Sequence, residues 1–301
     1  MSDEASRRDP EQLGPPWTVL KILRWTTHYF EKKEVTESAR LDAELLLTHV
    51  LDLDRVALYT HFDRPMDSEE LDAYRALIKR RVEGEPVAYL IGRRGFWDFE
   101  LEVDPRVLIP RPETEVLVEE ALERIEANQS ATIIDVGTGS GAIALALARE
   151  RPEATVIGTD TSADALEVAR ENAQRLGLGD RVEFVDGDLF EGVEQRWLPC
   201  DFVVSNPPYV AERDRDQIMT DVRDFEPEGA LFAGEDGLDV IRRLIPAAHD
   251  ALAEGGHFLC EIGAEQGEAA ERICQEAGFT QVNIRKDYSD RDRVVCARKL
   301  P

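Results

Sequence analysis

The chain has 301 residues, 43% of them hydrophobic, enough for one large domain and one small one. Its formal charge is −26, from 62 Asp and Glu against 36 Lys and Arg. That balance argues against a protein that grips phosphate backbones through clustered cations, and no apolar run approaches the length of a membrane span.

The acidic residues are spread along the chain, and lysine occurs only at Lys21, Lys32, Lys33, Lys79, Lys286 and Lys299. This composition suits a cytoplasm at high salt, where the Debye length falls to about 3 Å near 1 M and self-repulsion is screened. A halophilic source is expected. The purified protein should lose stability and activity when molar salt is removed; equal melting and turnover with and without salt would overturn this. The start, Met1-Ser2-Asp3-Glu4, lacks the basic and apolar regions of a secretory signal, so the expected location is cytoplasmic. Cys200, Cys260, Cys274 and Cys296 form no C-x-x-C pair and read as small core residues. The five histidines make no H-E-x-x-H spacing, and no metal site is expected.

Residues 1–16 are polar and end in Gly14-Pro15-Pro16, a loose lead-in. Trp17 to Phe30 predicts a helix with Val19, Leu23, Thr26 and Phe30 near one face. A second helix is predicted from Ser38 to Leu51, on Ala43, Leu46, Leu47 and Val50. Asp67 with Glu70 three residues on resembles a capping box. It opens a third helix with Leu71, Tyr74, Ile78 and Val82 as its buried stripe, ended by Gly84 and Pro86. Residues 1–92 thus read as a small helical bundle that binds the substrate. Gly95 to Val103 alternates apolar and polar positions and predicts a short β element. Residues 93–108 form a β-hairpin linker to the larger domain, 109–301. Pro110 and Pro112 fix an extended approach to a helix starting near Glu113.

From Ala131 strands and helices alternate. The strand cores are 132–136, 155–159, 182–185, 202–205 and 257–262; helices fall near 142–150, 162–176, 237–253 and 264–277. That order predicts an α/β fold, a mostly parallel sheet covered on both faces. Residues 281–285 and 293–297 are joined by too short a link for a crossover helix and predict an antiparallel hairpin at the sheet edge.

Ligands of such sheets bind at the carboxyl ends of the strands. The first strand ends in Asp135-Val136-Gly137-Thr138-Gly139-Ser140-Gly141. Its G-x-G-x-G spacing differs from the dinucleotide fingerprint, and Asp135 repels phosphate but suits an ammonium. The second strand ends at Asp160, a carboxylate able to take both ribose hydroxyls. The third runs into Gly187-Asp188-Leu189, where Asp188 can accept from an exocyclic amine and Leu189 offers a backbone N–H and an apolar face to a base. The competing readings are a ligand-free glycine turn, a helix cap for Asp160 and a plain turn at 187–190. The fourth strand stops at Asn206-Pro207-Pro208-Tyr209, because two prolines cannot continue a ladder. The Asn206 side chain and the Pro207 carbonyl can accept both hydrogens of a substrate –NH2, and the Tyr209 ring can cover its flat face. Together the strand ends describe a crevice for a nucleoside with an amino-acid tail and no phosphate. S-adenosylmethionine fits that description.

With these motifs, Leu108-Ile109-Pro110-Arg111-Pro112-Glu113-Thr114-Glu115 and the segment from Glu226 to Leu238, the sequence resembles the HemK/PrmC protein-glutamine N-methyltransferases. The resemblance covers nearly the whole chain. It implies a seven-stranded class I (Rossmann-like) methyltransferase sheet and methylation of the glutamine in the Gly-Gly-Gln loop of class I peptide-chain release factors. It implies cofactor contacts at Gly137, Thr138, Gly139, Ser140, Gly141, Asp160, Asp188, Leu189 and Asn206, and substrate contacts at Asn206, Pro207, Pro208 and Tyr209. Asn206, Pro207 and Tyr209 would be the catalytic set. One departure is Leu189, where some members carry Trp. Phe96 and Arg111 belong either to a surface that grips the protein substrate, or to the core and an ion pair. The expected protein is a monomer that contacts neither nucleic acid nor membrane. The rival readings are a glutamine methyltransferase of a ribosomal protein, an adenine-amine methyltransferase of DNA or RNA, and a non-catalytic binding module.

Overall fold

Runs of Val, Ile, Leu and Phe without polar alternation are stable as strands only when both faces of the sheet are covered. The computed structural model, which describes residues 15–300, contains such a sheet. The lead-in expected over residues 1–16 lies, up to residue 14, outside the described residues. Two compact units are present: one reaches to Gly92 and also takes in Thr220–Phe225, and the other comprises Arg93–Met219 and the chain from Glu226 onward.

The first unit contains α1 (Val19–Lys32), α2 (Ala39–Leu51), α3 (Arg55–Thr60), α4 (Ser68–Val82) and α5 (Val87–Ile91). The apolar stripes of the longer helices meet in one cluster that includes Leu23, Phe30, Leu46, Leu47 and Tyr74. The Tyr74 hydroxyl donates to the Ala43 carbonyl at 2.9 Å. The capping box at Asp67 and Glu70 is formed reciprocally. α3 and α5 were not expected; each spans less than two turns, too short for a 3.6-residue period to register. A later helix, α9 (Thr220–Phe225), belongs to this unit. Buried Arg81 donates to Asp42 at 2.9 Å and lies 3.5 Å from Asp221 of α9.

In the second unit β1 (Arg93–Phe96) and β2 (Phe99–Glu102) form an antiparallel hairpin that turns through Trp97 at φ +57°. The alternation over Gly95–Val103 therefore spans two strands. Phe96 is core, 2% exposed. The sheet is built from β3 (Thr132–Val136), β4 (Thr155–Asp160), β5 (Val182–Asp186), β6 (Cys200–Ser205), β7 (Leu252–Glu261), β8 (Thr280–Lys286) and β9 (Asp292–Arg298). Its order is β5-β4-β3-β6-β7-β9-β8, parallel from β5 to β7 and antiparallel at β9 and β8. The seven-stranded α/β sheet with an antiparallel C-terminal hairpin is thus as expected. The helices of this unit are α6 (Glu115–Arg124), α7 (Ala142–Glu150), α8 (Ala163–Arg175), α10 (Asp239–Ala251) and α11 (Gly267–Glu276). All four cysteines are buried free thiols. No described helix is long and apolar enough to cross a membrane.

Register decides what meets at the sheet's carboxyl end. Val136 pairs with Thr159 on one side and Ser205 on the other, Asp160 pairs with Asp186, and Ser205 pairs with Cys260. The residues that follow therefore emerge level with one another. The chain leaves β3 for β4 on one side and returns to β6 on the other, which makes this edge a topological switch point.

Candidate active site

At that switch point lies a cavity of about 340 Å³. Its wall brings together Gly137 through Ser140, Asp160, Asp188, Leu189 and Asn206 through Pro208. Two expected residues, Gly141 and Tyr209, are not in the wall. Gly141 sits at φ +84° as the N-cap of α7, and the Tyr209 hydroxyl donates to Glu261 at 3.1 Å.

Gly137 and Gly139 have φ of +73° and +55°, the left-handed region that side chains resist, although a Cβ at either would meet open space. The loop is fixed by its own protein. The N–H groups of Gly137 and Thr138 donate to the Thr159 carbonyl, and that of Gly139 donates to Asp160 at 2.9 Å. What the loop offers a ligand is close approach more than a row of N–H donors. Asp160 also accepts from the Ser162 N–H at 2.9 Å, but the cap of α8 is Ser162, whose hydroxyl accepts from the Ala165 N–H, so the helix-cap reading of Asp160 does not hold. Burial raises its pKa. A carboxylate has about four acceptor positions, which leaves room for a diol. Asp188 pairs with the guanidinium of Arg243, another wall residue that sequence reasoning missed. Leu189 is held at φ +57°, its carbonyl accepting from the Thr159 hydroxyl at 2.9 Å. A non-glycine residue held there costs on the order of 1 kcal/mol, so the surrounding bonds must over-determine it.

Asp135, fully buried, is placed just before the loop. One carboxylate oxygen accepts from Thr138 at 2.7 Å and from the Ala144 N–H at 3.2 Å; the other has no hydrogen-bond partner among the described residues. Burial, with a smaller contribution from Asp160, pushes its pKa up to about 7.

Asn206 emerges from β6 beside the end of β7. Its amide Nδ2 donates to the Thr114 hydroxyl at 3.1 Å, and that hydroxyl donates to Glu261 at 2.7 Å. Glu261 is 0% exposed, accepts from Tyr209 and has Arg293 at 3.8 Å. Burial raises the Glu261 pKa, against the Thr114 hydrogen bond and the Arg293 charge. The same burial, with the Glu261 charge, raises that of Tyr209. Sequence reasoning missed Glu261; the signal for it is a lone acid inside the apolar run Phe258-Leu259-Cys260-Glu261-Ile262. Glu226, the first residue of the family segment, is the acid that pairs with Arg111: a 4% exposed carboxylate that accepts from Arg111 at 2.5 Å and from the Ile109 N–H at 3.1 Å. That pairing ties Leu108–Glu115 to the segment that follows Glu226, whose Pro227 and Ala230 complete the wall. Of the two readings of Phe96 and Arg111, the core and the ion pair hold.

Residues 21–92 match the PrmC N-terminal domain family, and residues 113–225 match the Methyltransferase small domain family. The chain is 44% identical over 283 residues to the release factor glutamine methyltransferase of Geobacter sulfurreducens, covering 94% of this chain and 97% of that one. It is 40% identical over 279 residues to that of Escherichia coli K12, covering 93% and 99%. The chain belongs to the release factor glutamine methyltransferase family. Solved structures with the same fold include a methyltransferase from Pyrococcus furiosus, with TM-score 0.52 and 18% identity over 75% of this chain and 98% of that one. Another is the Thermus thermophilus 16S rRNA N2 G1207 methyltransferase, with TM-score 0.51 and 21% identity over 69% and 49%. The sheet of this family member is accordingly the fold those methyltransferases share. The cavity fits S-adenosylmethionine: Asp160 and Asp188 suit a diol and an amine and would repel phosphate, and Leu189 and Ile143 supply apolar wall, while Asp135 lies buried behind the glycine loop, outside the wall.

Proposed function

We propose that this protein methylates the side-chain amide nitrogen of the glutamine in the Gly-Gly-Gln loop of class I peptide-chain release factors. The observation that carries this is the Asn206-Pro207 corner, which opens into the same cavity as the glycine loop and Asp160, in a chain that matches release factor glutamine methyltransferases over nearly its full length. S-adenosylmethionine, when bound, supplies an electrophilic methyl on a sulfonium centre. Asp160 would take the ribose hydroxyls, and Asp135, buried behind the glycine loop, would hold Thr138 and the start of α7 in place. Leu189 would lie against the base; Asp188 would share its carboxylate between Arg243 and the exocyclic amine.

A primary amide nitrogen is a poor nucleophile because its lone pair is delocalised into the carbonyl. The Asn206 Oδ1 and the Pro207 carbonyl would accept its two hydrogens and hold it in line. Both bonds strengthen as positive charge develops on nitrogen, which is differential binding of the transition state. Orientation supplies the rest of the rate gain. No dedicated base is required, since the product amide releases its proton to water. Tyr209, lying outside the wall, would act by fixing the corner through Glu261.

Mass spectrometry of a purified release factor after incubation with enzyme and S-adenosylmethionine tests the reading. One added methyl on the Gly-Gly-Gln glutamine is expected. Methylation of a ribosomal protein or an adenine-containing oligonucleotide in its place would overturn it.

A further inference from the structure

The Asn206 side chain has two chemically opposite ends, and only the oxygen can receive an amide hydrogen. Something must decide which end faces the cavity. Asn206 is bonded to Thr114, Thr114 to Glu261, and Glu261 to Tyr209. A threonine hydroxyl has a single proton. The Thr114 hydroxyl donates to one Glu261 oxygen at 2.7 Å while Tyr209 occupies the other, so the Thr114 proton points at Glu261. The Thr114 oxygen is then left as an acceptor toward Asn206, and the Asn206 end that meets it must be the NH2. The oxygen is thereby turned away from Thr114. Tyr209 gives its own proton to the other oxygen of Glu261, so both neighbouring hydroxyls donate inward. Arg293, 3.8 Å from Glu261 and 3.1 Å from Asp287, supplies the nearby positive charge. Thr114 is 3% exposed and Glu261 is 0% exposed, so water is poorly placed to scramble this order.

We propose that Thr114 and Glu261 are positioning residues that enforce the polarity of the Asn206 amide, presenting its oxygen to the substrate. The pair comes from the Pro-Glu-Thr-Glu turn and the end of β7, separated by 147 positions in sequence. This rests on the transfer reaction proposed above. A lost hydroxyl would leave the amide free to rotate, so half or more of the molecules would present N–H groups to N–H groups. Turnover suffers while the cofactor, held by other residues, binds as before.

The test is Thr114→Val against Thr114→Ser in the full-length protein. Thr114→Val should lower kcat about tenfold to a hundredfold, with KM for the release factor and Kd for S-adenosylmethionine within about threefold. Thr114→Ser, which keeps the hydroxyl, should restore kcat to within about threefold. A second measurement needs no turnover. Hydrogen exchange of the Asn206 side-chain amide, followed by NMR, should be protected in the wild type and in Thr114→Ser and fast in Thr114→Val. Wild-type kcat in Thr114→Val would overturn the proposal. So would equal losses in Thr114→Val and Thr114→Ser, or unprotected exchange in the wild type. Failure of the substrate reading would show as an unmethylated release factor with the exchange pattern intact.

Discussion

Asn206→Ala is expected to lower turnover by roughly a hundredfold to a thousandfold, the range seen when one preorganised polar contact to a transition state is removed. Its Kd for S-adenosylmethionine should stay within about tenfold, or about 1.4 kcal/mol. The split follows from geometry. Asn206 is one of many residues in the cavity wall, whereas Gly139, Asp160 and Leu189 lie on other strand ends and are fixed by bonds that do not involve it. Removing the amide leaves the Thr114 hydroxyl with an empty acceptor position, a defect on the order of 1–3 kcal/mol, so the melting temperature should fall while the fold persists. Asn206→Asp sharpens the comparison. It keeps the shape but brings a second acceptor to Thr114, whose single proton already goes to Glu261. It should therefore turn over no better than Asn206→Ala. Single-turnover rates and cofactor titration check both. Wild-type turnover in Asn206→Ala would remove Asn206 from the chemistry.

The second large effect concerns Asp135. Its pKa rises on folding from 3.8 to about 7, because the carboxylate is fully buried with one oxygen unpartnered. A carboxyl whose pKa is raised by folding binds its proton more tightly in the native state. Its contribution to stability is therefore fully present below about pH 4 and is lost as pH rises through 7. The difference corresponds to about 4 kcal/mol as an order of magnitude. Asp160 is also raised by burial and acts with the same sign, so the two must be separated by mutation. Asp135→Asn keeps an oxygen for Thr138 and the Ala144 N–H and removes the charge. The cofactor-free variant should melt several degrees higher than wild type at pH 8 and converge with it near pH 4. Asp135 lies outside the cavity wall and acts through Thr138 and the start of α7, so the same variant should keep its Kd for S-adenosylmethionine within about tenfold of wild type. Calorimetry across pH and titration of the cofactor read the two effects. Parallel melting profiles for wild type and variant would show that the buried charge is not a burden.

Much of this was legible in the sequence, for identifiable reasons. Strands β3, β4 and β6 are short runs rich in Ile, Val and Phe and buried on both faces. The start of α4 was legible because a capping box is a local device, complete within four residues. The residues of the strand ends were legible because each follows directly on its strand. What could not be read was lateral pairing. Glu261 stands next to Asn206 only because Ser205 pairs with Cys260, and Arg243 reaches Asp188 across 55 positions. Neither distance has any trace in spacing or composition. Tyr209 and Gly141 lie near the expected strand ends but outside the cavity wall, Tyr209 bonded to Glu261 and Gly141 capping α7.

The two crossings of the chain into its helical unit bear on how such proteins can be inherited. Thr220–Phe225 is encoded between the Asn206 corner and the Pro227 wall, yet it packs with the helices encoded before Gly92, with Asp221 facing Arg81. A single recombination at residue 92 would join helices from one ancestor to an Asp221 segment from another. Viable hybrids that exchange this unit should therefore carry Arg81 and Asp221 from the same parent, which requires three crossovers, after residues 92, 219 and 225.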